Sequence, residues 1–213
     1  MTDQLKTRRE REKQARYEAI LDAAEAVFSD KGYERTSMDD IARRASLSRA
    51  LLYVYFRDKS AIQHGITLRA GANLRERMEK AAAIAGTGLE KAAAIGRAYY
   101  EFYREEPEYF HALTQANVTA SDADETQVSQ MHCSEAAIME LMVATIRRGL
   151  ADGSLNRERI RDPMETALYL RGALHGVIMG CGKEIEGAFS AFPSEALIEH
   201  TMAMLMSSIA SQS

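Results

Sequence analysis

The chain has 213 residues, of which 46% are hydrophobic and 27% charged, with a formal net charge of −4. These values are typical of a globular protein of one or two domains and exclude a disordered chain or a fibre. Only three prolines and 13 glycines interrupt long stretches of good helix formers, which predicts an all-α fold. No apolar run approaches the roughly 20 residues that span a bilayer, and the charged N-terminus is unlike a signal peptide. We therefore expect a cytoplasmic protein that makes no membrane contact.

Charge is distributed unevenly along the chain. Residues 1–70 carry 14 Lys and Arg against 11 Asp and Glu, a net charge of +3, whereas residues 71–213 carry 13 against 20, a net charge of −7. This asymmetry is typical of a small basic module that meets a polyanion, joined to an acidic body with another role. The basic segment from Lys6 to Arg16 fits two interpretations, a solvated helix start and an arm near phosphates.

The first helix is predicted from Arg8 to Lys31, because apolar residues recur there at spacings of three and four. Gly32 follows at the position of a left-handed C-cap and ends it. Ser37 and Asp40 then have the spacing of a capping box, which opens a short second helix over 37–45.

The next two helix starts are marked by single capping residues. Ser48 opens a short third helix, and Asp58 opens a long fourth helix that runs to about residue 83. Only Ala45-Ser46-Leu47 connects the second helix to the third, which is the length of the turn in a helix-turn-helix.

Five further helices follow the same signals. They are predicted over 89–105, from Pro107 to a polar loop at 118–126, over 127–152 with Gly153 as the stop, over 162–185 and over 194–210. The strongest start is Asp162-Pro163-Met164-Glu165, with Asp at the N-cap and Pro at the first helical position. The sequence therefore predicts about nine helices and no strand.

Six short motifs lie between residues 32 and 62, namely Gly32-Tyr33, Thr36-Ser37, Ile41-Ala42, Ser48, Tyr53-Val54-Tyr55-Phe56 and Lys59. Together they resemble the DNA-binding segment of TetR-family transcriptional regulators, over roughly residues 10–70. The resemblance implies a three-helix DNA-binding domain with a helix-turn-helix at 1–57 and a larger effector-binding and dimerisation domain at 58–213, with helix four as the connector.

Two departures from the family pattern lie in and after the turn. Ser46 stands where the family usually has Gly, so it either holds a positive φ or uses another turn geometry. Ala50-Leu51 stand where Gly-Thr is common, so base preference cannot be transferred from relatives.

The third helix has one arc that suits a major groove. With about 100° per residue, Arg49, Ala50, Tyr53 and Val54 share this arc, while Leu52 and Phe56 lie on the other side with Leu47 and Ile41. Arg49 then donates to a guanine edge or to a phosphate, and Ala50 and Val54 touch thymine methyls. The candidate DNA-binding residues are Thr36, Ser37, Arg44, Ser48, Arg49, Ala50, Tyr53, Val54, Tyr55 and Lys59.

Several of these residues have a second interpretation. The family pattern implies phosphate contacts for Tyr53, Tyr55 and Lys59, but Tyr55 also fits a core aromatic. Arg44 fits either a phosphate contact or a solvated face. Thr36 and Ser37 act as caps, as DNA contacts, or as both.

The resemblance also implies an effector pocket in the larger domain, for an apolar or aromatic small molecule. The candidate lining residues are Tyr99, Phe102, Tyr103, Phe110, His111, Met139, Met142, Tyr169 and His175. Most of them could equally be ordinary residues of the hydrophobic core. A dimer interface is implied for the last two long helices, where Gly172, Gly176 and Gly180 follow at a spacing of four and allow close helix approach. Packing within one chain is the alternative.

These features predict a sequence-specific homodimeric regulator, a repressor in the family's common mode, released from an inverted-repeat operator in double-stranded DNA by its effector. The alternative is a helical ligand-binding or protein-interaction module whose DNA-binding segment has lapsed. Because the sequence contains no G-x-S-x-G, HExxH, P-loop or Rossmann pattern, we expect no enzyme, cofactor or metal site. Cys133 and Cys181 are expected to be reduced thiols.

Overall fold

A computed structural model describes residues 2–119, 125–181 and 193–211, with side chains described over 8–114, 128–181 and 193–211. This part of the chain forms nine α-helices and a single isolated bridge between Leu155 and Ala210. The helices are α1 (Thr2–Lys31), α2 (Met38–Arg44), α3 (Arg49–Tyr55), α4 (Lys59–Ala82), α5 (Gly88–Glu105), α6 (Pro107–Thr119), α7 (Glu125–Asp152), α8 (Pro163–Cys181) and α9 (Ser194–Ile209). The prediction of an all-α fold is confirmed.

Most of the predicted helix ends are confirmed by their caps. Gly32 and Gly153 both have a φ of +80°, the left-handed conformation that ends a helix at little cost for glycine. Asp162 Oδ1 accepts hydrogen bonds from the backbone N–H of Met164 at 2.6 Å and of Glu165 at 3.2 Å, so it caps α8 as expected.

Other helix limits differ from the prediction. α1 begins at Thr2 rather than Arg8, because its charged first turns carry no breaker and continue the helix. The predicted loop at 118–126 is wrong at both edges, since residues 118–119 and 125–126 are helical; residues 120–124 lie outside the described residues. So do residues 182–185, the predicted end of α8.

Two compact units make up the chain. The first contains residues 1–70 and 111–129, and the second contains residues 71–110 and 130–213. The predicted domain boundary at 57/58 stays a prediction.

The first unit is built around a core shared by its early helices. α1 contributes Ile20 and Leu21, α2 contributes Ile41, and α3 contributes Leu52, all nearly inaccessible to water. Phe56, which follows α3, stacks on Tyr17 with ring centroids 4.8 Å apart. This core holds the two short helices against α1.

An arginine of α4 joins α1 within the same unit. Arg69 lies 2.5 Å from Asp22, 2.9 Å from Glu25 and 3.4 Å from Glu18, and its side chain is largely shielded from solvent. The three carboxylates are spaced four and three residues apart, so one face of α1 presents them together. A planar guanidinium with five donors can serve several carboxylates at once.

The second unit packs α5, α8 and α9 together, with Phe102, Ile178 and Ile198 fully buried. α5 begins at a capping box in which Thr87 and Glu90 satisfy each other's backbone N–H groups. Its first residue, Gly88, lies against the backbone of α7 at Gly149. Within the described ranges, no helix has the length and apolar character that crossing a membrane requires.

The contact between Gly88 and Gly149 predicts a large effect of a single methyl group. A Cβ at Gly88 would lie 2.2 Å from the Gly149 backbone, so the two helix ends would have to separate. We expect Gly88→Ala to lower the free energy of unfolding by about 1–3 kcal/mol, measured by denaturant titration. Gly96→Ala on the same helix is the control, since its Cβ would meet only Leu174 at 3.9 Å. It should be neutral or stabilising by roughly 0.5–1 kcal/mol, and equal losses in both variants would contradict the prediction.

Candidate functional site

The start of α2 is fixed by a hydrogen-bonded cap. Ser37 Oγ accepts from the Asp40 backbone N–H at 3.2 Å, and Asp40 Oδ2 accepts from the Ser37 backbone N–H at 3.1 Å. Lys31, the last residue of α1, donates to Asp40 Oδ1 at 2.8 Å. The Lys31 ammonium and then the Ser37 groups hold the pKa of the Asp40 carboxyl well below its usual range. Asp40 therefore stays ionised and ties α2 to the end of α1.

The turn between α2 and α3 is compact. Leu47 N–H donates to the Ala42 carbonyl at 2.9 Å, and Ser46 has a φ of +56°. Ser46 thus keeps the backbone conformation that glycine usually supplies at this position, and this conformation costs a non-glycine residue about 1–2 kcal/mol. Of the two expectations for Ser46, the positive φ is confirmed. Ser48 then caps α3 by accepting from the Leu51 N–H at 3.2 Å.

The two faces of α3 separate as predicted. Leu52 and Phe56 are buried in the core of the first unit, while Arg49, Ala50, Tyr53 and Val54 are all exposed. Val54 leaves 75% of its surface in water, which is high for an apolar side chain next to a core. The exposed arc, defined as Arg49, Ala50, Tyr53 and Val54, is small, apolar in part and carries one positive charge.

Arg49 is held between two neighbours. Its Nη1 donates to Asp39 Oδ2 at 3.3 Å, its Nε lies 3.3 Å from Asp39 Oδ1, and its Cζ lies 5.6 Å from the centre of the Tyr53 ring. The partner Asp39 sits on α2, ten residues earlier in the chain. Sequence reasoning missed this residue, because no local spacing connects it to Arg49.

Lys59, the first residue of α4, bonds to the segment after α1. Its ammonium donates to the carbonyl of Tyr33 at 2.6 Å and of Glu34 at 3.4 Å, and it lies 4.2 Å from the centre of the Tyr33 ring. An ammonium has three N–H donors, so these bonds leave one for a phosphate. The phosphate contact expected for Lys59 stays a prediction beside this structural role.

The other predicted DNA contacts divide by exposure. Thr36 is 4% exposed and its hydroxyl donates to the Gly32 carbonyl at 2.9 Å, so its structural role is established and its DNA contact stays a prediction. Tyr55 is half-buried and packs on the core of the first unit. Ser37, Arg44 and Ser48 are exposed.

Five of the predicted effector residues come together in the second unit. The ring of Phe110 lies 5.0 Å from Tyr103, 5.9 Å from Tyr99, 6.5 Å from Phe102 and 5.9 Å from His175, between ring centroids. We call these five residues the aromatic cluster. Tyr99 Oη and His175 Nδ1 lie 2.6 Å apart and share a hydrogen bond, whose donor depends on the imidazole tautomer.

The other four candidates lie outside this cluster. His111 and Tyr169 are exposed, and His111 belongs to the first unit rather than the second. Met139 and Met142 are buried on α7, and their contact with an effector stays a prediction. The sequence pattern could not separate these cases, because aromatic and Met residues at helical spacing look alike in a core and in a pocket.

Burial keeps the Tyr99–His175 pair uncharged near neutral pH. It raises the pKa of Tyr99 to about 12, and burial followed by the nearby charge of Arg171 lowers the pKa of His175 from its ordinary value. The cluster therefore offers a neutral polar pair among aromatic rings.

The lowered pKa of His175 predicts in which direction the stability of the fold changes with pH. The unfolded chain takes up a proton near about pH 6.5, whereas the folded chain resists it, so stability falls as the pH drops below that value. We expect the loss of unfolding free energy between about pH 7.5 and about pH 5.5 to be smaller in His175→Gln than in the wild type. Denaturant titration at both pH values measures it. His132→Gln, exposed on α7, is the control, and equal losses in all three proteins would refute the expectation.

Comparisons with known proteins match both parts of the chain. Residues 20–64 match the family model described as bacterial regulatory proteins of the tetR family, and residues 92–205 match that of the tetracyclin repressor-like C-terminal domain. Both models describe regulatory proteins and neither describes an enzyme.

Curated relatives match over short stretches. The A-factor receptor protein of Streptomyces griseus is 45% identical over 58 residues, which cover 25% of this chain and 21% of that protein. The fatty acid metabolism regulator protein of Bacillus subtilis is 29% identical over 85 residues, which cover 40% and 44%. The chain thus spans less than half the length of these relatives.

Solved structures match over nearly the whole length. A TetR/AcrR-family regulator from Thermobifida fusca has a TM-score of 0.73 at 23% identity, covering 90% of this chain and 97% of its own. The regulator FadR of Bacillus subtilis, solved with stearoyl-CoA, has a TM-score of 0.69 at 18% identity, covering 91% and 99%. At these identities the likeness concerns the fold.

Proposed function

Because the chain belongs to the TetR family of bacterial transcriptional regulators, we propose that it is a homodimeric repressor that leaves an inverted-repeat operator when a small-molecule effector binds. The observation that carries the proposal is the exposed arc of α3. A short helix with an Arg, a small residue and an apolar residue facing water, opposite a well-packed face, suits entry into a major groove.

In this proposal the contacts divide into base reading and phosphate binding. Arg49 donates to a guanine edge, and Ala50 and Val54 contact thymine methyls. The exposed groups around the arc, including Arg44, Ser37 and Ser48, bind phosphates and fix the register. Lys59 contributes its remaining N–H while holding the segment after α1 in place.

Selection of bound sequences from random duplex DNA tests the proposal directly. We expect purified, ligand-free protein to enrich an approximate inverted repeat, since a symmetric dimer presents two copies of α3. If correctly folded protein enriched no sequence, the proposal would fail, and the alternative of a lapsed DNA-binding segment would be favoured.

Two arginine variants separate base reading from phosphate binding. We expect Arg49→Ala to weaken binding to the selected operator by about tenfold or more and to change binding to scrambled DNA little. Arg44→Ala should weaken both by a similar factor and reduce the slope of log affinity against log salt by about one. Equilibrium titrations at several salt concentrations measure both effects, and equal effects of Arg49→Ala on the two DNAs would count against base reading.

The proposed dimer is supported by an exposed apolar face on the last two helices. α8 exposes Met164, Leu168 and Tyr169, and α9 exposes Met204. Gly172 and Gly176 lie on the exposed surface of α8, and a Cβ at either position would meet nothing within 4 Å. Large exposed apolar side chains beside exposed glycines favour close packing against another pair of helices. A second copy of this chain would supply that pair.

A charge placed in this face tests the dimer. We expect Leu168→Glu to convert the dimer to a monomer, because Leu168 is 54% exposed in the single chain and would be buried between copies. Ile84→Glu is the control, since Ile84 is similarly exposed, at 42%, but lies in the connection between α4 and α5. Sedimentation equilibrium gives the mass of each variant, and a dimeric Leu168→Glu protein would show that the interface lies elsewhere.

The aromatic cluster supports an apolar or aromatic effector. Relatives in the comparison include a fatty acid metabolism regulator and a structure with stearoyl-CoA, so we include acyl chains among the candidate ligands. Effector binding would favour a dimer whose α3 helices no longer match the half-site spacing. Shifting the chain from nearly all bound to nearly all released requires about 5 kcal/mol of discrimination between the two states. A ligand that binds tightly without changing operator affinity is not this effector.

A further inference from the structure

Asp39 is the one acidic side chain described in direct contact with the exposed arc of α3. It is the second residue of α2, and the neighbouring Asp40 already forms the cap with Ser37. Asp39 Oδ2 accepts from Arg49 Nη1 at 3.3 Å, and its Oδ1 lies 3.3 Å from Arg49 Nε. The cap is formed by Asp40, so the Asp39 carboxylate can contact Arg49 while its charge also favours the first turn of α2.

The contact restricts Arg49 without covering it. The side chains of Arg49 and Asp39 remain 63% and 53% exposed, so the pair faces solvent. Asp39 approaches Nε and Nη1, and Tyr53 contributes both its ring, 5.6 Å from Cζ, and a side-chain hydrogen bond with the guanidinium. A guanidinium has five N–H donors, so these contacts still leave donors for a base edge. Two parallel N–H donors at the end of a guanidinium match the O6 and N7 acceptors of guanine.

The carboxylate also changes how Arg49 responds to phosphate. Non-specific binding to DNA depends on counterion release, to which each unpaired cation contributes. An arginine already neutralised by a carboxylate gains less from a phosphate, and the carboxylate itself repels the phosphate. A base edge is neutral, so its hydrogen bonds with Arg49 depend on orientation, which Asp39 restricts.

We propose that Asp39 is a specificity-determining residue of the DNA interface, which positions Arg49 for a base edge and makes it a poor ligand for phosphate. The inference rests on the proposed function, in which the exposed arc of α3 reads the operator. Asp39 acts through Arg49 and is a positioning residue. It raises the ratio of operator affinity to non-specific affinity by weakening the second more than the first.

The test compares Asp39→Asn with the wild type on the selected operator and on a scrambled duplex of equal length. Asn keeps the size of the side chain and removes its charge. We expect affinity for scrambled DNA to rise by about 3- to 10-fold and its salt slope to steepen by about one, since Arg49 becomes available to phosphate. Operator affinity should rise less, so that the specificity ratio falls by about fivefold.

Asp30→Asn is the matched control. Asp30 is an exposed residue near the end of α1, and removing its charge also makes the first unit more basic. We expect it to raise affinity for both DNAs by the same factor and to leave the ratio unchanged. If Asp39→Asn behaved like Asp30→Asn, Asp39 would contribute only net charge, and the proposal would be overturned.

Two further variants make the result specific to Arg49. Asp39→Ala removes both the carboxylate and its hydrogen bond with Arg49. It should lower the specificity ratio at least as much as Asp39→Asn does, which keeps the test valid if the Asn variant folds poorly. In an Arg49→Ala background, Asp39→Asn should no longer change the ratio, and an undiminished change there would also overturn the proposal. If the wild type enriched no operator, the proposed function would fail first and this inference with it.

Discussion

Seven residues are too few for a stable helix in water, so α3 exists only because one of its faces is buried. Leu52 is fully covered and Phe56 nearly so, and both pack with Ile41 of α2 and with α1. Because a helix has a fixed rotation per residue, burial of these two side chains also fixes where the others point. Arg49, Ala50, Tyr53 and Val54 face outward as a direct consequence of this small core.

The same constraint explains why the turn tolerates an unfavourable residue. Ser46 holds a φ of +56° in a position where a glycine would be easier. The cost of about 1–2 kcal/mol is offset by the core that the turn allows α2 and α3 to form. Helix caps at Ser37 and Ser48 reinforce the same geometry, since each satisfies a backbone N–H that would otherwise depend on water.

Local signals made much of the fold predictable. Capping residues, C-terminal glycines and apolar spacing gave the starts and stops of the helices, and the angular position of each residue gave the two faces of α3. All of these depend on residues within one or two turns of each other. Two kinds of helix limit were predicted wrongly. At Thr2 no breaker ends the helix, and the polar stretch 118–126, predicted as a loop, is helical at 118–119 and 125–126.

Contacts between helices could not be predicted in the same way. The ion pair between Asp39 and Arg49 joins residues ten positions apart. The hydrogen bond between Tyr99 and His175 joins residues 76 positions apart. Their existence depends on how helices pack, and no local spacing encodes it. The group around Arg69 is intermediate, since the acidic spacing of Glu18, Asp22 and Glu25 marks a face of α1 but does not identify its partner.

Ion pairing also changes the meaning of the charge asymmetry along the chain. The net charge of +3 over residues 1–70 suggests a weakly basic module, but many of its acidic groups are paired within the unit. Asp40 pairs with Lys31, and Glu12 pairs with Arg8. Glu18, Asp22 and Glu25 share Arg69, whose single positive charge balances only one of the three carboxylates. The field that DNA meets is therefore set by which charges lie near α3 and which are already neutralised. Since Asp39 neutralises the single arginine of the exposed arc, non-specific attraction has to come from other cations, and the arc itself is left to respond mainly to the bases.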